Sequence, residues 1–90
     1  MKAKEYIAQF QSDIDAGTPR IDAARKVIAE LMNESYSIAL TRTGGKPQIY
    51  DHVLRPVLRE QDRKWRSIAY ALEWNPNGFR DLLREKGISL

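Results

Sequence analysis

The polar and basic side chains of the last third of the chain have the types and spacing best suited to bind a ligand. Arginine and lysine donate hydrogen bonds to phosphates, and arginine and asparagine reach the edges of nucleobases. Such residues crowd one short stretch near the C-terminus, and a basic run precedes them. The candidate contact residues are Asn75, Asn77, Arg80, Arg84 and Lys86, together with Arg63, Lys64 and Arg66.

The residues on which most enzymes and metal sites depend are scarce. There is no cysteine and His52 is the only histidine, so thiolate nucleophiles, cysteine zinc sites and most histidine-based triads lack their parts. Asp13, Asp15 and Asp22 lie near one helix junction, where we interpret them as a cap and a solvated face and not as a cation site. A chain of 90 residues also buries only about 60 to 65% of its unfolded surface, which leaves little room for a deep cleft. We therefore expect no enzyme activity, no cofactor and no metal.

Charge is distributed unevenly along the chain. Residues 1–41 hold five basic and six acidic side chains, whereas residues 42–90 hold ten basic and six acidic ones. The positive C-terminal half is compatible with a polyanionic partner or with an ordinary solvated surface. The N-terminal segment carries charges at Lys2, Lys4 and Glu5 and has no long apolar run, so we expect a cytoplasmic protein that does not enter a membrane.

Two amphipathic helices are predicted in the N-terminal part, residues 1–42. Gly17 ends the first, and Thr18 with Pro19 supplies an N-cap and a first-turn proline for the second. The pair should form an antiparallel hairpin, and these N-terminal helices are candidates for homodimer formation. The predicted buried stripes are Ala3, Ile7, Phe10 and Ile14 in the first helix, and Ile21, Ala24, Val27, Ile28 and Leu31 in the second.

The segment 36–53 has two interpretations. Tyr36, Ile38 and Leu40 alternate with small or polar residues, which fits a further helical stretch or a strand. A strand could pair with Gln48–Val53 across the glycines of a loop at Thr43–Pro47, forming a β-hairpin. The pattern favours a helix but leaves both open.

The C-terminal part, residues 48–90, is predicted to be mainly helical. Pro56 should lie in the first turn of a helix because an interior proline costs about 3 kcal/mol. Asp62 is an alternative cap for a separate helix, and Asn75 with Pro76 repeats the cap and proline signal before a last helix that Gly87 ends. The expected buried residues are Leu58, Trp65, Ile68, Ala69 and Leu72, then Phe79, Leu82 and Leu83. The chain is thus predicted to be one mainly α domain, a small bundle of four to five helices.

Residues 68–88 read IAYALEWNPNGFRDLLREKGI, the pattern of a helix-turn-helix in which Trp74 would fill the turn. This quarter of the chain resembles the C-terminal helix-turn-helix of the factor for inversion stimulation and of related response-regulator DNA-binding domains. The matching positions are Asn75, Arg80, Arg84, Lys86, Gly87 and Ile88. Glu73 stands where that family has a small residue, Pro76 where it has a basic one, and Asp81 and Glu85 where it usually has lysine.

The resemblance implies a small transcription regulator that binds double-stranded DNA. Asn75, Asn77, Arg80 and Arg84 would lie at the groove, and Arg63, Lys64 and Arg66 would contact phosphates. Acid at Asp81 would repel phosphates, so the alternative is a protein-interaction module that uses the helix-turn-helix as scaffold and binds another protein.

Overall fold

The computed structural model describes residues 1–43 and 54–90, and this part of the chain consists of four α-helices without strands. They are α1 (Ala3–Asp15), α2 (Arg20–Thr43), α3 (Leu54–Leu72) and α4 (Gly78–Glu85). The prediction of a mainly α bundle with a C-terminal helix, turn and helix is confirmed. No described helix combines the length and apolar character needed to span a membrane.

The N-terminal helices pack as the predicted antiparallel hairpin. Lys26 on α2 lies 3.6 Å from Asp13 near the end of α1, while Glu34 lies close to the start of α1. The helix α2 runs on to Thr43, so residues 36–43 are helical and the strand alternative for them is wrong. The predicted loop glycines, the segment Gln48–Val53 and His52 lie outside the described residues.

The core is formed by one apolar side of each helix, as the periodicity predicts. All eight residues predicted to be buried in α3 and α4 are buried, and Pro56 occupies the first turn of α3. Ile21, in the first turn of α2, was predicted to be buried but is 52% exposed. Phe10 is buried as expected, whereas Ala3, Ile7 and Ile14 are only partly buried and Tyr6 provides the second buried side chain of α1.

Three helices end with the same hydrogen-bond arrangement, in which one residue adopts a left-handed backbone. After α1 this residue is Gly17, with a φ of 97°, and after α4 it is Gly87, with a φ of 78°. After α3 it is Glu73, with a φ of 57°, and the N–H of Trp74 donates to the carbonyl of Ala69 at 2.8 Å. These are Schellman ends, which glycine favours because it has no Cβ.

The helix starts differ from their predicted positions. The carbonyl of Pro19 accepts from the N–H of Ala23, so Pro19 and not Thr18 occupies the cap position of α2. Asn77 precedes α4, so the prediction of Asn75 as its cap is wrong. Asp62 lies inside α3 and caps no helix.

Candidate nucleic-acid interface

The turn between α3 and α4 is held by Trp65 and not by Trp74. Trp65 is buried, and its Nε1–H donates to the carbonyl of Asn75 at 2.8 Å. The indole ring lies directly against Gly78, where any Cβ would collide with it. Trp74, predicted to fill the turn, is only partly buried at the edge of the core. Trp65 and Gly78 therefore set the approach of α4 to α3.

A buried carboxylate lies at the centre of the candidate surface. The Oδ2 atom of Asp62 accepts from Nε of Arg66 at 3.3 Å and from Nε of Arg80 at 3.0 Å. Arg66 also donates through a terminal nitrogen to Oδ1 of Asn77 at 2.7 Å. One acidic side chain thus joins two arginines from different helices, 14 positions apart in the sequence.

A second acidic residue holds the outer side of the same surface. Asp81 accepts from Nδ2 of Asn75 at 3.2 Å and lies 3.5 Å from a terminal nitrogen of Arg84. The side chain of Asn75 also accepts from the N–H of Asn77 at 3.0 Å, which stabilises the turn. We call the connected set the α3–α4 polar network; it comprises Asp62, Arg66, Asn75, Asn77, Arg80, Asp81 and Arg84.

The structure thus brings together five of the eight predicted contact residues. Arg63 lies apart on α3, 72% exposed, with an ion pair to Glu60 at 3.1 Å. Lys64 points to α2, where its Nζ lies 2.7 Å from Glu34, and Lys86 lies over the ring of Tyr36 at 4.7 Å. These last two ammonium groups are engaged away from the network.

Lys64 belongs to a separate polar cluster that the sequence did not indicate. Glu34 accepts from Lys64, from Gln61 and from the ammonium group of Met1, and the hydroxyl of Tyr6 lies 3.3 Å from it. Burial alone raises the pKa of Glu34, but these hydrogen bonds outweigh it and lower the pKa to about 2. Burial, followed by the negative charge of Glu34, raises the pKa of Tyr6 to about 12.

The network provides several hydrogen-bond donors. Arg80 uses Nε for Asp62, and its two terminal nitrogens carry four further N–H donors. Arg84 is 79% exposed one helical turn further along. Within residues 1–43 and 54–90, no cluster of three metal-ligating side chains was found. The arrangement can bind an anionic or polar surface in a fixed orientation.

Comparison with known proteins gave no match to any protein-family model, to any curated protein or to any solved structure.

Proposed function

We propose that this chain is a small, non-enzymatic, cytoplasmic regulator of transcription that binds double-stranded DNA through α3, α4 and the turn between them. The observation that carries the proposal is the convergence of Arg66, Asn77 and Arg80 around the buried carboxylate of Asp62. Because Asp62 fixes both guanidinium groups, their remaining donors are oriented before a ligand arrives. Such preorganisation reduces the entropy lost on binding.

The dimensions of α4 suit the major groove. An α-helix with its side chains is about 10 to 12 Å in diameter, and a major groove about 12 Å wide admits it. Arg80 and Arg84 lie one turn apart on the exposed side of α4, where a guanidinium can bind two acceptors of guanine. Asn75 and Asn77 lie at the N-terminal end of the helix, the end from which recognition helices commonly contact bases. We propose that Arg63, which is exposed on α3, contacts a phosphate.

The acidic members of the network set an upper limit to the affinity. Three arginines of the network face two carboxylates, Asp62 and Asp81. Asp62 is buried and already neutralised by two guanidinium groups, but Asp81 is partly exposed and faces the same side as Arg84. We therefore expect moderate affinity with clear salt dependence, since each phosphate contact releases counterions.

The test is fluorescence anisotropy with a duplex of random sequence and with selected sequences, at two salt concentrations. Arg80→Ala should weaken binding by about 1 to 3 kcal/mol and reduce the preference among sequences, and Asp81→Asn should tighten binding by removing repulsion. Lys4→Ala is the matched control, because it removes the same charge from an exposed position on α1, which packs on α2 and α3. Melting temperatures should show that every variant is folded.

Duplex binding no stronger than about 10⁻⁴ M at physiological salt, with no response to Arg80→Ala or Asp81→Asn, would contradict the DNA proposal. The protein-interaction function would then be preferred, with the polar network as scaffold, and a specific protein recovered in a pull-down would support it.

We also propose that the chain acts as a homodimer. Helix-turn-helix proteins commonly bind as two-fold dimers, so that the two recognition helices reach half-sites one turn of DNA apart. A single α4 of this size contacts only a few base pairs, and pairing two copies would double the contacts.

A further inference from the structure

An open apolar cavity lies where the start of α2 meets the end of α3. Its volume is about 280 Å³, several times the volume of one water molecule. Ala24 and Leu72 are buried members of the core, and Trp74 is partly buried and packs against it. None of the three buried polar residues in the described chain lies in this wall. The lining residues are Arg20, Ile21, Ala24, Leu72, Glu73 and Trp74.

Ile21 forms part of the wall of this cavity, with half of its surface in water. It is 52% exposed although its side chain is purely apolar and its backbone is in a helix. An exposed apolar side chain and an apolar cavity therefore share one face. In a two-fold dimer, the same surface of both copies forms the interface. The Ile21 side chain of each copy can therefore enter the cavity of the other copy.

The charges at the rim are complementary in the same sense. Arg20 and Glu73 are 54% and 80% exposed, and the ion pair between them is long at 3.7 Å. The guanidinium of Arg20 lies 5.2 Å from the ring of Phe10, which keeps it at the rim. Because this face carries one positive and one negative side chain, two identical copies present no net repulsion and offer two crossed ion pairs.

We propose that this face binds a second copy of the chain about a two-fold axis. Ile21 of each copy occupies the cavity of the other, and Arg20 of each copy pairs with Glu73 of the other. This inference rests on the homodimer of the proposed function but not on DNA binding, because it involves none of the residues of the α3–α4 polar network. Contact of this kind also covers Trp74, the largest partly buried side chain of the cavity wall.

The experiment is sedimentation equilibrium of the full chain without DNA, up to about 500 μM. Ile21→Asp should weaken the dimer at least about tenfold, because a carboxylate entering an apolar cavity loses its hydration. Leu40→Asp is the matched control: Leu40 is an exposed apolar residue of the same helix, about 28 Å away along its axis. Circular dichroism should show that both variants remain helical.

A charge-exchange pair of variants separates contacts between copies from contacts within one copy. Arg20→Glu leaves acid at both rim positions, and Glu73→Arg leaves base at both, so each variant alone should dimerise at least about tenfold more weakly. In an equimolar mixture, opposite charges meet only between different chains, so a heterodimer should form with affinity restored toward that of the original chain. Arg25→Glu is the control for the charge change, since Arg25 is exposed on α2 and absent from the cavity rim.

Three outcomes would overturn the inference. If the chain stays monomeric at the highest concentration, both the homodimer and this dimer surface are excluded. If neither Ile21→Asp nor Arg20→Glu changes the affinity of dimer formation, the chain is a homodimer that uses another surface. A mixture that dimerises no better than its two components shows that Arg20 and Glu73 do not cross between copies. DNA binding is measured separately, so its failure does not affect these results.

Discussion

Asp62 offers the sharpest test of the physical reasoning, because one substitution changes two ion pairs without changing the shape of the side chain. In Asp62→Asn, the bonds from Arg66 and Arg80 lose their charged acceptor. Each bond keeps its charged guanidinium donor but loses the charge on its acceptor, a loss that we take as about 1 kcal/mol for each bond. The difference over two bonds is about 2 kcal/mol. Arg80 is 45% exposed and regains water in the variant, which reduces the expected loss of unfolding free energy to about 1 to 2 kcal/mol.

Urea unfolding followed by the fluorescence of Trp65 and Trp74 measures this loss. With a slope of about 1 to 1.5 kcal/mol per molar urea, the midpoint should fall by about 1 M. Glu60→Gln is the control, because its ion pair with Arg63 is exposed at both ends, and it should change stability by less than about 0.5 kcal/mol. A double-mutant cycle of Asp62→Asn with Arg80→Gln should give a coupling of at least about 0.5 kcal/mol. An unchanged midpoint and zero coupling would refute the idea that Asp62 holds the arginines.

The remaining predictions concern the backbone and the second polar cluster. Glu73→Gly should stabilise the chain by about 0.5 to 1 kcal/mol, raising the melting temperature by about 2 to 8 °C, because it relieves a left-handed backbone; no gain over Glu73→Ala would contradict this. Gly78→Ala should destabilise by about 1 to 3 kcal/mol and shift the fluorescence of Trp65, whose ring must move; an unaltered emission spectrum would show that it does not. Since the pKa of Glu34 falls from 4.5 to about 2 on folding, its stabilisation is complete above about pH 4.5 and is lost as the pH falls toward 2. The unfolding free energy of Glu34→Gln should not show this loss in acid. Identical pH profiles of stability for the variant and the original chain would contradict the prediction.

The helices could be predicted because their signals are local. Apolar residues at helical spacing, Gly17 and Gly87 after helix ends, and Pro56 in a first turn each act within a few residues. The exposure of Ile21 could not be predicted, because it depends on a contact that is not local in sequence. Its position on the stripe is correct, but burial also requires a neighbouring element to cover the first turn of α2, and spacing along one helix does not contain that information.

The polar network could not be predicted because its partners are distant in sequence and its central residue has an unusual environment. Aspartate is common at helix caps and rare in a buried helix interior, so the sequence indicates Asp62 as an alternative cap. Only the packing of α4 against α3 brings Arg80 to it, 18 positions away. Two asparagines flank Pro76, and either could cap α4. The choice depends on Gly78, whose lack of a side chain admits the ring of Trp65 and so fixes where α4 begins.

Under the proposed function, the carboxylates of the network determine what kind of DNA binding this surface would support. An arginine side chain that no neighbouring group holds can bind the phosphates of any DNA sequence. Arg66 and Arg80 are held by Asp62, so they present their remaining N–H donors in one direction. Fixing the guanidinium groups lowers the entropy lost when they bind a correctly placed acceptor. The negative charges of the carboxylates, however, weaken the attraction to every phosphate alike. The carboxylates should therefore reduce the affinity for non-specific DNA more than the affinity for a specific sequence. On this reasoning, removing the charge of Asp81 should raise affinity for random DNA more than for a preferred sequence, so that affinity increases while discrimination decreases.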